Sequence, residues 1–192
     1  FGMGRCVDAT VMGLRYTSNN KSGSTDADGQ FQYQAGDDVS FTAGPVGLGS
    51  TAAKSLVTPF DLSSDDAIVK AIASLLQSLD DDPTDNIIRL SEQKMADLAT
   101  ALGGTVDIGA LVDDPATAAD EVQDALDALD AAVQVAAAAD YVAPNDALVV
   151  LISSLAQTDY MVRNVSKTPE ARSDKAGADI MDTAVPARAS SG

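Results

Sequence analysis

The 192-residue chain is long enough for one large domain or a closely packed pair, and it sets 12 basic residues against 29 acidic ones. The resulting formal charge of -17 repels phosphate backbones and anionic headgroups, which argues against nucleic acid and against membrane insertion or membrane-surface binding. The chain contains no His, so no Ser-His-Asp, Cys-His or His-zinc site exists. Aromatics make up 4% and Trp is missing, so the core is built from Ala, Val, Leu and Ile, which favours helix packing.

In chain order, Val7, Ala9 and Val11 share one face of an extended segment that Gly13 interrupts before Leu14 and Tyr16 resume it. This reads as a strand with a bulge or kink. Cys6, the single cysteine, reads as a small buried thiol, with lipidation or an intermolecular bridge as alternatives. Residues 18–29 are a polar loop. Phe31 and Tyr33 then point one way, and Val39 with Phe41 forms a third alternating run. The segment 44–50, with three glycines and Pro45, reads as a loop, and 55–58 as one more short strand.

From Ser64 the period becomes helical. Ile68, Ile72, Leu75, Leu76 and Leu79 follow the acidic Asp65 and Asp66, which suit a helix N-terminus. A second helix runs from about Ser91 to Leu102 and ends at Gly103-Gly104. Pro115 marks a third start, with Val122, Leu126, Leu129, Val133 and Ala136 as its stripe. Pro144 opens a fourth, whose ALVVLI stretch is apolar all round and predicts the central, most buried helix. The hinge TPFDLSS is too short for a flexible linker, so Phe60 is expected buried at a rigid junction. The tail, 166–192, has a composition that needs a partner to hold it in place.

The string GLRYTSNNKSGSTDADGQFQYQAGDDVSFTAGPVGLGS, followed by VTPFDL and LLQSLDDD, resembles a recurrent module of secreted and cell-surface proteins of Gram-negative bacteria. In that module a prealbumin-like or Ig-like β-sandwich leads into helices. The resemblance covers about residues 7–90 and is most specific from Thr25 to Phe41. It implies an exported, binding or structural role and attaches no catalytic activity.

Two chemistries deserve weighing. Thr25 to Gly29 superficially suggests an EF-hand loop, but Ala35 stands where the bidentate Glu belongs, so a hairpin turn with Gly29 at positive φ is the reading. Asp80, Asp81, Asp82 and Asp85 crowd a helix C-terminus, where the dipole makes negative charge costly. A bound cation would relieve that cost, which makes Asp80, Asp82 and Asp85 the calcium candidate, against a solvated acidic loop. GPVGLGSTAAKS lacks the spacing of a phosphate-binding loop.

The sequence thus predicts an α+β chain with a small β-sandwich over 1–62, an irregular antiparallel helical bundle over 63–165 and an extended tail over 166–192. Too few strands are legible for a seven-stranded sandwich, so the sheet either leans on the helices or receives a strand from another chain. The expected role is that of a non-enzymatic subunit of an extracellular filament or cell-surface assembly, exported with its leader removed. Phe1, Ile180, Met181 and Val185 are its docking groups, in a homo-oligomer or polymer with other surface proteins as further partners. The alternative is a ligand-binding or adhesion module, assisted by calcium.

Overall fold

The computed structural model describes residues 1–113 and 116–166, with side chains described as far as 157 apart from those of 112–115. The chain is α+β and divides into two units, 1–155 and 156–192, the second described only over its helical residues 156–166.

The extended N-terminal segment is three strands rather than one kinked strand. The first, β1 (Gly2–Cys6), turns at Asp8-Ala9 into β2 (Thr10–Met12), and Gly13, at φ 84°, redirects the chain into β3 (Arg15–Ser18). Buried Thr25 pins this corner. Its Oγ1 donates to Val11 O at 2.7 Å and accepts from Leu14 N at 3.0 Å. β4 (Lys21–Ser24) pairs with β3, and β5 (Gln30–Tyr33) pairs with β1. The Thr25–Gly29 turn, with Gly29 at φ 70°, therefore joins strands of different sheets and closes no hairpin.

β6 (Asp38–Ala43) and β7 (Val46–Ala52) form a hairpin around Gly44-Pro45. The glycine-rich stretch expected as a loop is thus a strand, bulged at Leu48 where the register steps from Phe41↔Gly49 to Thr42↔Gly47. Its glycines are explained by close approach. A Cβ on Gly47 would lie 2.9 Å from the Asp107 carboxyl carbon, and Gly49, at φ 110°, meets the backbone of Gly109. β8 (Leu56–Val57) lies parallel to β1.

Later segments supply two more strands. β9 (Ile87–Arg89) pairs with β2, and β10 (Val106–Asp107) extends the larger sheet beside β7. The sheets are ordered β5-β1-β8, β10-β7-β6-β3-β4 and β2-β9. The first two meet through Phe31 and Phe41, edge to face with ring centroids 5.2 Å apart. The missing strands thus come from the chain's own later segments, a source outside the two expected ones.

The helices are α1 (Pro59–Leu62), α2 (Asp66–Ser78), α3 (Glu92–Leu102), α4 (Ile108–Asp113), α5 (Ala119–Ala137) and α6 (Pro144–Ser166). Caps set their ends. Asp65 Oδ1 accepts from Ala67 N and Ile68 N, Ser91 Oγ accepts from Lys94 N, and Gly103 closes α3 at φ 68°. The third helix begins at Ala119, and Pro115 lies outside the described residues.

Two expectations about burial are corrected. In the single turn of α1, Pro59 and Leu62 bury their shared face, which turns Phe60 outward to 42% exposure. The most buried helix is α2, whereas among the described side chains of α6 only Ala147 and Leu151 are fully buried, and Val149 and Ile152 are 63% and 52% exposed. The main core joins strands to α2, α3 and α5, and α6 rests on a separate small cluster with Val69 and Ala73.

The Gly49–Gly109 contact gives a test. A Cβ on Gly109 would overlap Gly49 Cα and lie 2.8 Å from Gly49 N, backbone that cannot yield cheaply. Gly109→Ala is expected to cost about 1–3 kcal/mol in denaturant unfolding. Gly104→Ala, where nothing lies within 4 Å, should change stability by less than about 0.5 kcal/mol.

Candidate functional site around Asp8 and the acidic loop

The acidic loop follows the C-terminus of α2, where unpaired carbonyls concentrate partial negative charge. Its carboxylates bind the loop's own backbone. Asp80 is buried, and its Oδ1 accepts from Asp82 N at 3.2 Å and Arg89 N at 2.8 Å. Asp82 Oδ1 accepts from Thr84 N and Oγ1, and Asp85 Oδ1 accepts from Ile87 N. Asp85 Oδ2 pairs with Arg89 at 2.7 Å. Among the described residues no three acidic or Cys side chains converge to hold a metal. Asp80, Asp82 and Asp85 are sequence neighbours with separate hydrogen-bonding tasks, and Asp80 is not solvated.

The chain supplies its own cations. Lys94, on α3, reaches back to donate to the carbonyls of Ser78 and Asp80, and pairs with Asp140 at 2.8 Å. The ammonium thus sits at the last carbonyls of α2, where cations are most favourable. The Ile87 amide and Arg89 hold the Asp85 carboxyl below the usual range.

Behind this loop lies Asp8, which sequence reasoning passed over. It has no exposed surface, and Gln77 Nε2 lies 3.0 and 3.2 Å from its two oxygens. The same nitrogen donates to Ala147 O on α6 at 3.0 Å. Burial pushes the Asp8 carboxyl up to about 7, with the Gln77 hydrogen bond drawing it partly back. Cys6, two residues earlier, is also buried, and its thiol is pushed up to about 12 by desolvation and then by Asp8. A thiol so held is protonated and inert, in line with the buried-thiol reading.

Between loop and α6 opens a cleft of about 230 Å3, lined by Ala9, Gln77, Asp80, Asp85, Ile88 and Val150 among others. Its walls combine apolar surface with carboxylates already engaged, so it offers shape more than free ligands. A second groove, of about 190 Å3, runs between α2 and α5 past Lys70, Leu126, Asp127 and Val133. Beside it the Tyr141 hydroxyl donates to Asp130 at 2.6 Å; burial and that carboxylate push it up to about 12.

Of the expected docking groups, Phe1 is 92% exposed, with Lys21 Nζ 4.9 Å from its ring centroid. Ile180, Met181 and Val185 lie outside the described residues. No single helix among the described residues is long and apolar enough to cross a membrane. No family model, curated protein or solved structure matches the chain.

The carboxyls have opposite effects on stability. Asp8, raised in the folded state, contributes stability that is fully present below 3.8 and lost as pH climbs through about 7. That rise corresponds to about 4 kcal/mol once Asp8 is ionised in both states. Asp61, partly desolvated but drawn down by Lys54 and Thr58, and Asp85 contribute stability that is lost as pH falls below 3.8. Thermal unfolding is therefore expected to show a Tm that falls from about pH 5 to about pH 7 and levels off by about pH 8.5. Asp8→Asn should flatten that limb and raise the Tm at its alkaline end. A wild-type Tm constant across this range would contradict the assignment.

Proposed function

We propose that the chain is a non-enzymatic structural subunit of an extracellular filament or cell-surface assembly. The observation that carries this reading is the outward face of α6, where Val149 and Ile152, three residues apart, stand exposed on a chain with a net charge of -17. The rest of the described exposed surface is dominated by acids and small polar groups, which keep a protein apart from its copies. A contiguous apolar strip on such a surface marks a place where charge is kept away from a contact. Phe1 and Met3, 92% and 52% exposed at the start of β1, supply apolar groups on a different element.

In this reading the β5-β1-β8 and β10-β7-β6-β3-β4 sheets are the layers of a prealbumin- or Ig-like sandwich, supported by the Phe31–Phe41 contact between them. The role fits an exported setting, where an acidic surface stays hydrated. A ligand-binding or adhesion module is the second reading, favoured by the 230 Å3 cleft beside Asp80 and Asp85.

Self-association against like net charge strengthens as salt screens the repulsion. Light scattering and electron microscopy of the full chain are expected to show polymers that grow with ionic strength. Val149→Glu combined with Ile152→Glu, both at exposed positions, should lower the association constant at least about tenfold, for about 1.4 kcal/mol, while the circular dichroism spectrum stays unchanged. A chain that stays monomeric at high concentration and high salt would overturn the assembly reading and promote the cleft.

A further inference from the structure

Asp8, Gln77 and Ala147 tie together three elements: the β1–β2 turn, α2 and α6. One amide nitrogen, with two hydrogens, serves three acceptor oxygens. A neutral carboxyl is content with such a share, but an ionised one draws both hydrogens, because charge-assisted hydrogen bonds are the stronger. The Ala147 carbonyl then keeps its helical donor, Leu151 N, and loses the side-chain bond that ties it to α2.

The surroundings offer Asp8 no compensating cation. Among the described residues it takes part in none of the ion pairs. The Cys6 thiol on β1 lies two residues away, and Asp61 on α1, which acts on that thiol, is paired with Lys54. Asp80 and Asp85 share the cleft wall with Gln77, the first held by backbone amides and the second by Arg89. On α6, Asp146 adjoins Ala147 and is exposed.

α6 is also the element that can yield. Its buried side chains, Ala147 and Leu151, pack on Val69 and Ala73 in a cluster separate from the core that holds the strands, α2, α3 and α5 together. We propose that Asp8, Gln77 and Ala147 form a proton-linked latch: neutral Asp8 leaves Gln77 free to hold the start of α6 on α2, and ionised Asp8 releases it while the main core stays folded. The first turns of α6 then open locally, exposing Ala147 and Leu151 and letting water reach the carboxylate. The latch goes beyond the assembly reading and does not depend on it, since it operates within one chain.

The experiment is amide hydrogen exchange on the full chain by NMR, corrected for intrinsic exchange, from about pH 5.5 to about pH 8.5. The opening constant for amides 148–155 on α6 is expected to rise by up to about tenfold per pH unit as pH approaches the Asp8 midpoint from below and to level off above it, while amides 72–76 on α2 keep their protection. Asp8→Asn should hold α6 closed at every pH. Gln77→Met should leave α6 open to a similar degree throughout. Should Asp8→Asn fold poorly, the wild-type Asp8 carboxyl carbon shift supplies the same test, because its titration midpoint must coincide with that of α6 opening. Loss of protection in α2 and α6 together, α6 protection indifferent to pH, or non-coincident midpoints would each overturn the latch.

Discussion

Burial of α2 on opposite sides governs much of the architecture. Ile68, Ile72, Leu75 and Leu76 enter the main core, while Val69 and Ala73 face α6. An amphipathic surface helix needs only one apolar stripe, but a helix covered on both sides must also bury the polar residues between. Here these are Ser74, Gln77 and Ser78. Each finds its partner in the segment that leads into α6: Ser74 Oγ donates to Val142 O at 2.6 Å, Ser78 Oγ accepts from Val142 N at 2.9 Å, and Gln77 reaches Ala147 O. An unmet buried donor or acceptor costs about 1–3 kcal/mol, comparable with fully burying a leucine. The path of the chain from α5 to α6 is therefore dictated by hydrogen bonding to α2 as much as by apolar packing.

The same helix poses an electrostatic problem at its far end. Asp80, Asp81 and Asp82 follow directly on a C-terminus whose carbonyls already carry negative partial charge. In a chain with 12 basic residues, the use of Lys94 and Arg89 at this one corner is informative. Lys94 caps the carbonyls, and Arg89 holds Asp85 in place while its own amide donates to Asp80. With the loop so folded, β9 can lie alongside β2 and close the small third sheet. The carboxylates act as local acceptors that shape the loop, a role open to aspartate because its short side chain reaches amides two residues on.

What the sequence made legible follows from the range of the forces involved. α2, α3 and α5 show the helical period over eleven residues or more, and their starts at Asp65 and Ser91 and the stop at Gly103 rely on short-range hydrogen bonds. β7 was concealed because its glycines answer to Asp107 and Gly109, partners some sixty residues away in sequence. β9 and β10, of three and two residues, exist through the strands they join. Six-residue α4 is too short to display a period. Asp8 passed unnoticed because, on alternation alone, it occupies the polar side of a strand. The turn at Asp8-Ala9 rotates it inward, and Gln77, the residue that makes its burial tolerable, lies 69 positions away.

The ALVVLI segment shows how one sequence feature admits opposite placements. A helix apolar all round is either central or peripheral with a second face awaiting cover, and the α2 side of α6 takes only Ala147 and Leu151 into full burial. Two exposed side chains, Val149 and Ile152, cover far less than the ~800 Å² per partner of a stable interface. One such strip paired with itself would make a weak dimer. Two unlike patches behave differently: if the α6 strip meets the Phe1 and Met3 end of a neighbour, the contact is heterologous and repeats without closing. Each subunit then makes two contacts, and the acidic faces between them stay solvated. In the proposed assembly, two unlike patches therefore permit open growth, its extent set by the strength of each single contact.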